Sequence, residues 1–330
     1  MAYDGVAKVQ HYVPQFLLRN FGTGKKDQLH VFNKASEKTF LSSARNVAAE
    51  SRFYDFEVDG VGLTIEPALS RLETAVKPIL VKLLNVDSLG ALTEEDRVTL
   101  ANFFAVQFVR TKAARVAADD VERQLREEMR RRGIRDEQLE EIGFAANKNT
   151  SAAMTINTII KAPQDYGYTF MEKHWVLLGA PAKDPFVLGD HPLAMHNARP
   201  SNDIWGNIGL MVPGIEIYFP ISPVRALAMW CPTIRDELRR YAIGIRALRR
   251  SNMPQSKEQE NEFATILEAA HAMESGSVLH YKPENIKHFN SLQIIHAESL
   301  VFSSRDDFDF ARLVVAQSDE LRRGRRMRIS

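Results

Sequence analysis

Cysteine is nearly absent from this sequence, since Cys231 is the only one among 330 residues. A single thiol excludes an internal disulfide framework and any zinc site built on several thiolates. The same scarcity is typical of proteins in a reducing compartment.

Long apolar runs are absent as well. No window approaches the roughly 18 uninterrupted apolar residues that a membrane-spanning helix needs. The first residues, Met-Ala-Tyr-Asp-Gly, show no basic segment followed by an apolar one, so we expect no signal peptide. We therefore expect a cytoplasmic protein that does not act at a membrane.

The sequence has no excess charge of either sign, because 43 Lys and Arg balance 42 Asp and Glu to a net charge of +1. This balance argues against a whole surface that binds nucleic acid, although local basic patches remain compatible with it. The Walker loop and the GxGxxG, HExxH and GxSxG patterns are also missing, so the usual nucleotide, zinc-protease and hydrolase interpretations lose their support.

The hydrophobic periodicity predicts an α+β fold in a single domain over 1–330, with hairpin, helices, sheet and helices in that order. An N-terminal arm precedes a β-hairpin over 29–43. Helical spacing begins at Ile65, and Pro78 inside it predicts a kink or a division. Beyond Pro163 the period changes to two, which predicts a mostly antiparallel sheet in the C-terminal half.

One long helix is predicted from Thr93 to Gly133, where T-E-E-D resembles a capping box closed by Asp96. The first half of this helix is apolar and the second half is dense in charge. We expect residues 112–148 to form a charged extension that runs through solvent. This extension is the candidate contact for a homo-oligomer, with nucleic-acid binding as a minority interpretation.

The stretch FVLGDHPLAMHN places Asp190 and His191 just beyond a short strand, where rigid scaffolds present functional groups. Such a pair could bind a metal, orient a general base or hold a substrate hydroxyl. The structural alternative is a turn in which Asp190 accepts backbone N–H bonds.

The arm HYVPQFLLRNF carries His11, Arg19 and Asn20 among large apolar residues. These polar residues either close the arm over a pocket or form the hydrogen bonds that pin it. For a lone histidine without visible partners, the structural interpretation is favoured.

Gln107 and Arg110 lie three residues apart and therefore on one side of a helix. Arg110 could bind a phosphate or close an ion pair with Glu66 or Glu73 of the preceding helix, and the ion pair is favoured.

Three polar residues in the last predicted helix, each three positions from the next, lie along one stripe. Asparagine is unfavourable inside a helix, so its presence predicts a side-chain hydrogen bond, either to a ligand or to a loop. The stripe consists of Asn290, Gln293 and His296.

Several segments resemble the DUF4238 family, a bacterial group of unassigned function: HYVPQFLLRNF, VAAESRFY, IEPALSRLET, QFVRT, FVLGDHP, YFPISP and FNSLQIIHAESLVFSS. The resemblance covers roughly residues 8 to 305. It implies that the arm folds across the body and brings His11 near Arg110, Asp190 and Asn290. Where the family more often has Ser-Asp-Asn-Pro, this chain has Gly-Asp-His-Pro at 189–192. The family's marked polar residues fall on His11, Glu66, Arg110, Asp190 and Asn290.

We expect first a hydrolase acting on a phosphate-containing substrate such as a nucleic acid or nucleotide. His11 would be its general acid or base, and Asp190 and Glu66 would activate water or hold a divalent metal such as Mg²⁺ or Mn²⁺. A role in bacterial defence would suit such an enzyme. The residues expected to bind its substrate are Arg110, Asn290, His191 and Arg19.

Two other functions fit the same residues. One is a binding or sensor module that recognises a small anionic ligand without converting it. The other is a structural or interaction protein, in which the polar residues only pin the arm and the last helix to the body.

Overall fold

Helices and strands occupy largely separate stretches of the chain in the computed structural model, which describes residues 6–58, 60–141, 148–199, 207–251, 254–324 and 326. Within these residues, none of the helices has both the length and the apolarity needed to cross a bilayer. The helices are α1 (Gln15–Arg19), α2 (Glu66–Asn85), α3 (Glu94–Val109), α4 (Lys112–Arg131), α5 (Asp136–Glu141), α6 (Lys148–Glu172), α7 (Pro232–Arg250), α8 (Lys257–Ser275), α9 (Pro283–His296) and α10 (Asp309–Val315).

The strands are β1 (Val9–His11), β2 (Gln28–Asn33), β3 (Thr39–Ser43), β4 (Ala49–Ser51), β5 (Asp55–Val58), β6 (Val61–Thr64), β7 (His174–Gly179), β8 (Leu188–Gly189), β9 (Ala194–His196), β10 (Glu216–Ser222), β11 (Arg225–Trp230), β12 (Leu279–His280) and β13 (Leu300–Ser303).

Two larger sheets organise these strands. The five-stranded sheet has the order β12-β7-β11-β10-β9, and only its β12–β7 pair is parallel. The four-stranded sheet has the order β3-β2-β13-β8 and is antiparallel, and its β2–β3 pair is the hairpin predicted over 29–43. Two short antiparallel pairs, β1–β4 and β5–β6, complete the described strands. The predicted α+β fold with a mostly antiparallel C-terminal sheet is therefore confirmed.

The core lies between the five-stranded sheet and helices α3 and α6. The ring of Phe104 on α3 lies 5.1 Å from that of Phe219 on β10, 5.7 Å from that of Trp175 on β7, and 6.0 Å from that of Phe170 on α6. All four side chains are buried, and full burial of a large apolar side chain contributes about 1.5–3 kcal/mol. This packing fixes α3, and with it the residues at the end of α3, against the sheet.

The long helix predicted from Thr93 to Gly133 is divided, and the division falls at Arg110. α3 ends just before this residue, and α4 begins after Thr111, whose Oγ1 accepts the N–H of Ala114 at 3.2 Å. A threonine that caps a new helix adopts non-helical backbone angles, so the first helix cannot continue through it. The resulting corner holds Arg110 and Thr111 in the protein interior.

Other helix predictions have mixed outcomes. The capping box is confirmed, because Thr93 and Asp96 exchange hydrogen bonds of 3.1 Å. Of the kink or division predicted at Pro78, the division is wrong: α2 continues through Pro78, held by buried neighbours such as Val76 and Ile79. α4 has no fully buried residue, but most of its residues are half-buried, so a charged extension that runs through solvent stays a prediction. Residues 142–147 of that extension lie outside the described residues.

The N-terminal arm lies across the body of the protein. β1 pairs with β4 so that His11 faces Ala49, and the side chain of Leu17 is completely buried. Asn20 Nδ2 donates to the carbonyl oxygen of Ile221 on β10 at 3.0 Å. Apolar burial and a side-chain hydrogen bond thus pin the arm, which sets the position of His11.

Candidate functional site

Arg110 lies at the α3–α4 corner, and its side chain has no contact with solvent. Its Nη2 donates to Glu73 Oε1 at 2.9 Å, and its Nε donates to Gln107 Oε1 at 2.7 Å. The ion pair expected for this arginine is therefore present, with Glu73 as the partner. Its Nη1 is buried and has no hydrogen-bond partner within the described chain. A guanidinium held in this way is fixed in orientation and has one donor group that the described residues leave unused.

Two carboxylates of α2 share this environment. Glu66 and Glu73 are seven residues apart, two turns along the same helix face. Burial, reinforced by the nearby charges of Glu73 and Asp55 and opposed by that of Arg110, raises the pKa of Glu66 to about 7. Glu66 therefore exchanges a proton near neutral pH, as a general acid or base must.

His11 is the last residue of β1 and faces the same group of charges. Burial lowers the pKa of its imidazole below the usual value, against the opposing influence of a hydrogen bond to the backbone of Ala44 and of the Glu73 carboxylate. Arg110 is also close enough to lower this pKa. The Nε2 atom of His11 is buried without a hydrogen-bond partner among the described residues. The imidazole is thus neutral at pH 7 and has a nitrogen available.

Tyr54 and Gln107 connect the arm to the corner. The hydroxyl of Tyr54 lies 3.2 Å from the carbonyl oxygen of His11 and 3.3 Å from that of Arg110. Gln107 Nε2 donates to the carbonyl oxygen of Tyr12 at 3.0 Å. Burial raises the pKa of Tyr54 far above its usual value, so the hydroxyl keeps its proton. These bonds fix His11 relative to Arg110.

We name these six residues the arm cluster: His11, Tyr54, Glu66, Glu73, Gln107 and Arg110. The sequence predicted three of its members as site residues, and it identified Glu73 and Gln107 only as neighbours of Arg110. Tyr54 was missed, because an aromatic residue in an apolar setting is usually a core residue. The segment VAAESRFY, one of those that carry the family resemblance, ends at Tyr54 and could have identified this residue.

Asp190 has the structural role that the sequence left open. Its carboxylate is fully buried and accepts three backbone N–H bonds, from Glu298 at 2.6 Å and from Ser299 and Leu300 at 3.0 Å each. Burial raises its pKa to about 6, although these three bonds and the charge of Lys34 favour the ionised form. We therefore assign Asp190 to holding the start of β13, in place of the predicted catalytic or metal-binding role.

The predicted divalent metal site has no support in the described residues. They contain no group of three or more His, Cys, Asp or Glu side chains arranged to hold one ion. Glu66, the other predicted ligand, shares its environment with the cationic Arg110, and a nearby positive charge opposes the binding of a second cation.

His191 supports the corner from the side of the sheet. Its Nδ1 lies 2.6 Å from Thr111 Oγ1, and the same hydroxyl accepts the N–H of Ala114 at 3.2 Å. Burial lowers the pKa of His191 to about 4, so the ring is neutral at pH 7. His191 thus positions the residue next to Arg110, in place of the predicted direct contact with substrate.

The polar stripe of α9 binds a loop, which was one of the two alternatives for Asn290. Its three side chains, each about one helix turn from the next, form hydrogen bonds with successive backbone groups of residues 185–195. At Gly189 the approach is so close that a Cβ atom would lie 2.7 Å from the carbonyl oxygen of Gln293. The bonds join Asn290 to Pro185 and Val187, Gln293 to Gly189 and Pro192, and His296 to Met195.

Arg19 lies on the surface. Half of its side chain is exposed, and it contacts Gln15 at 2.6 Å and Asp27 at 3.3 Å. Neither partner belongs to the arm cluster, so the predicted substrate-binding role of Arg19 is not supported by its position.

Comparison with known proteins gives a family. No curated protein and no solved structure matches the chain. A family model described as "Protein of unknown function (DUF4238)" matches residues 9–307, a range that includes all six residues of the arm cluster. Because this match spans nearly the whole sequence, the chain belongs to the DUF4238 family.

Proposed function

We propose that the chain is a hydrolase for a phosphate-containing substrate, a nucleotide or a nucleic acid, with the arm cluster as its active site. The main support is a pair of buried atoms, Arg110 Nη1 and His11 Nε2, which lack hydrogen-bond partners among the described residues. Buried polar atoms without partners are uncommon in folded proteins. Here both belong to a group that includes a carboxyl with a strongly raised pKa, Glu66, and such groups are concentrated at functional sites.

Arg110 would bind the phosphate. Glu73 and Gln107 hold two of its nitrogens, so the guanidinium is oriented before a substrate arrives. The remaining Nη1 would donate to a non-bridging phosphate oxygen and stabilise the charge that develops during hydrolysis. A fixed donor of this kind costs little reorganisation when the reaction occurs.

His11 and Glu66 would transfer the protons. Neutral His11 takes one proton from a water molecule at Nε2, and the water oxygen forms a bond to phosphorus. The bond from phosphorus to the leaving oxygen breaks, and that oxygen receives the proton of Glu66. Since the pKa of Glu66 is about 7, about half of the molecules carry this proton at neutral pH. The negative charge of the bound phosphate increases this share.

The test is hydrolysis of a panel of nucleotides, RNA and DNA, with and without Mg²⁺, by the wild type and two matched variants. Glu66→Gln keeps the shape of the side chain but cannot exchange the proton, so we expect kcat to fall about 100-fold or more. The control, Glu95→Gln, changes an exposed glutamate of α3 and should leave kcat unchanged. Equal rates for all three proteins, or no product from any substrate, would contradict the proposal.

The complete burial of the Arg110 side chain favours a second candidate, a module that binds a small anion without converting it. Inorganic phosphate or a nucleotide would then raise the melting temperature of the wild type, and no product would form. A stabilising ligand together with unchanged substrate would move the assignment from hydrolase to sensor.

A third candidate is an interaction protein that uses α4. Arginines of this helix pair with acids of the same helix, as in Arg123–Glu127 at 3.1 Å and Arg126–Glu122 at 2.5 Å. Such intrahelical pairs indicate a solvated face and give little support to nucleic-acid binding. A second copy of the chain is the partner we propose for this surface, and light scattering on the purified protein would show the dimer. The proposed role in bacterial defence depends on the first candidate, and cleavage of RNA or DNA in the hydrolysis assay would support it.

A further inference from the structure

A second group of polar side chains, separate from the arm cluster, lies on one face of the five-stranded sheet. His196, Glu216 and Trp230 are direct cross-strand partners on β9, β10 and β11, so their side chains lie side by side on that face. Together with α8 and α9 they line a pocket of about 410 Å³. None of the residues that line it belongs to the arm cluster.

Trp230, which lines this pocket, carries a hydrogen-bond donor that no described residue uses. Only 6% of the residue is exposed, and its indole Nε1 is buried without a hydrogen-bond partner in the described part of the chain. The indole nitrogen is a donor only, and buried tryptophans usually find an acceptor. A ligand in the pocket would therefore place a carbonyl oxygen or ring nitrogen against Nε1.

Glu216 supplies an acceptor beside this donor. Its Oε2 accepts the hydroxyl hydrogen of Tyr218, which orients the carboxyl group in the pocket. Burial raises the pKa of Glu216, while the Tyr218 bond and the nearby His288 favour its ionised form. The pocket thus offers one fixed donor and one fixed acceptor on neighbouring strands.

The rest of the lining selects for a flat ligand without negative charge. The rings of His196 and His288 lie 4.7 Å apart at 77°, and Tyr218 and Tyr281 add further aromatic surface. Two more acids line the pocket besides Glu216, and the single lysine there, Lys282, bonds to a threonine at 2.9 Å. Acidic lining of this kind repels phosphates.

We propose that this pocket binds a purine nucleobase or nucleoside, with a base acceptor on Trp230 Nε1 and a base N–H on Glu216. Flat heterocycles with adjacent acceptor and donor groups match this pair, and protein aromatic and histidine rings commonly stack on bases. The volume is within the range of small-molecule sites. The assignment does not depend on the hydrolase proposal, since the two sites share no residue.

The test is calorimetric titration of the full chain with guanosine, adenosine and their 5′-monophosphates. We expect one of the two nucleosides to bind, and its monophosphate to bind at least several-fold more weakly because of the acidic lining. W230F removes the indole donor, and E216Q leaves a single side-chain oxygen for both the Tyr218 hydroxyl and the base N–H. Each change should therefore weaken nucleoside binding about tenfold. H271Q, on the exposed side of α8, is the control and should bind like the wild type.

Binding of neither nucleoside would overturn the proposal, as would equal affinity of E216Q and the wild type. Because W230F changes a buried core residue, its melting temperature is measured first to show that it folds. If it does not fold, the affinity of E216Q alone decides the outcome. Hydrogen exchange gives a second readout: at the same nucleoside concentration, exchange of β10 and β11 amides should be slowed more in the wild type than in E216Q.

Discussion

Arg110 donates from Nη2 to Glu73 Oε1 at 2.9 Å, and the two ends of this ion pair differ in their access to water. The arginine side chain is completely buried, whereas a quarter of the Glu73 side chain is exposed. Removing the acid would therefore leave a buried cation without its counter-charge, which costs more than the ion pair itself contributes. This asymmetry makes Glu73 the residue through which the stability of the arm cluster can be tested.

Glu73→Gln should destabilise the protein by about 1–3 kcal/mol, because Arg110 keeps a polar neighbour but loses the compensating charge. The same change should lower the pKa of Glu66, since the charge of Glu73 is one of the causes that raise it. Urea unfolding measures the first effect, and NMR titration of the Glu66 carboxyl carbon measures the second. An unchanged Glu66 pKa would show that the two carboxylates do not interact, and Glu95→Gln serves as the surface control.

Asp190→Asn separates the structural role of this residue from a catalytic one. An amide has only one oxygen, so at least one of the N–H groups of residues 298–300 would lose its acceptor. We expect a loss of about 1–3 kcal/mol in the free energy of unfolding, with kcat or phosphate affinity unchanged below the melting transition. A variant that is as stable as the wild type but inactive would return Asp190 to the active site.

Glu66 should make stability depend on pH in a particular direction. Its folded pKa of about 7 lies above the ordinary value of 4.5, so between these values the folded state binds more protons than the unfolded state. The stability that this provides is fully present below pH 4.5 and is lost as the pH rises through 7. Glu66→Gln removes the dependence, and its melting temperature should exceed that of the wild type at pH 8 more than at pH 5.

The difference in melting temperature between the wild type and Glu66→Gln isolates the contribution of Glu66 from those of other groups that titrate in the same pH range. Asp190 has a raised pKa and acts in the same direction, whereas the lowered pKa values of His11 and His191 act in the opposite one. These groups are present in both proteins and cancel in the comparison. A constant difference between pH 5 and pH 8 would mean that Glu66 is ionised throughout.

Local sequence was enough to predict those parts of the fold that depend on neighbouring residues. The capping box at Thr93 needs only Asp96, three residues further on, and the α9 stripe needs only a spacing of three. The break at Thr111 depends in addition on His191, 80 residues away. Since threonine also occurs inside helices, the sequence around it predicts continuation as readily as an end.

The candidate site likewise has features that local sequence predicts and features that depend on tertiary packing. An ion pair for Arg110 followed from its position between apolar and charged residues, but the choice of Glu73 over Glu66 depends on how α2 packs against α3. The sequence likewise predicted that Asn290 has a hydrogen-bond partner. Whether that partner is a ligand or a loop is decided by the packing of residues 185–195 on α9, which no local pattern encodes.

Phosphate binding at the arm cluster should be accompanied by proton uptake at Glu66. An anion on Arg110 would raise the pKa of Glu66 above its value of about 7, because a nearby negative charge disfavours ionisation. By linkage, the affinity of the wild type for inorganic phosphate should fall as the pH rises through 7, whereas that of Glu66→Gln should be stronger at pH 8 and show only the titration of phosphate itself. Titration calorimetry at pH 8 in two buffers with different ionisation enthalpies counts the protons taken up. Equal uptake by the wild type and Glu66→Gln would place the bound anion away from Glu66 and would remove the arm cluster as the phosphate site.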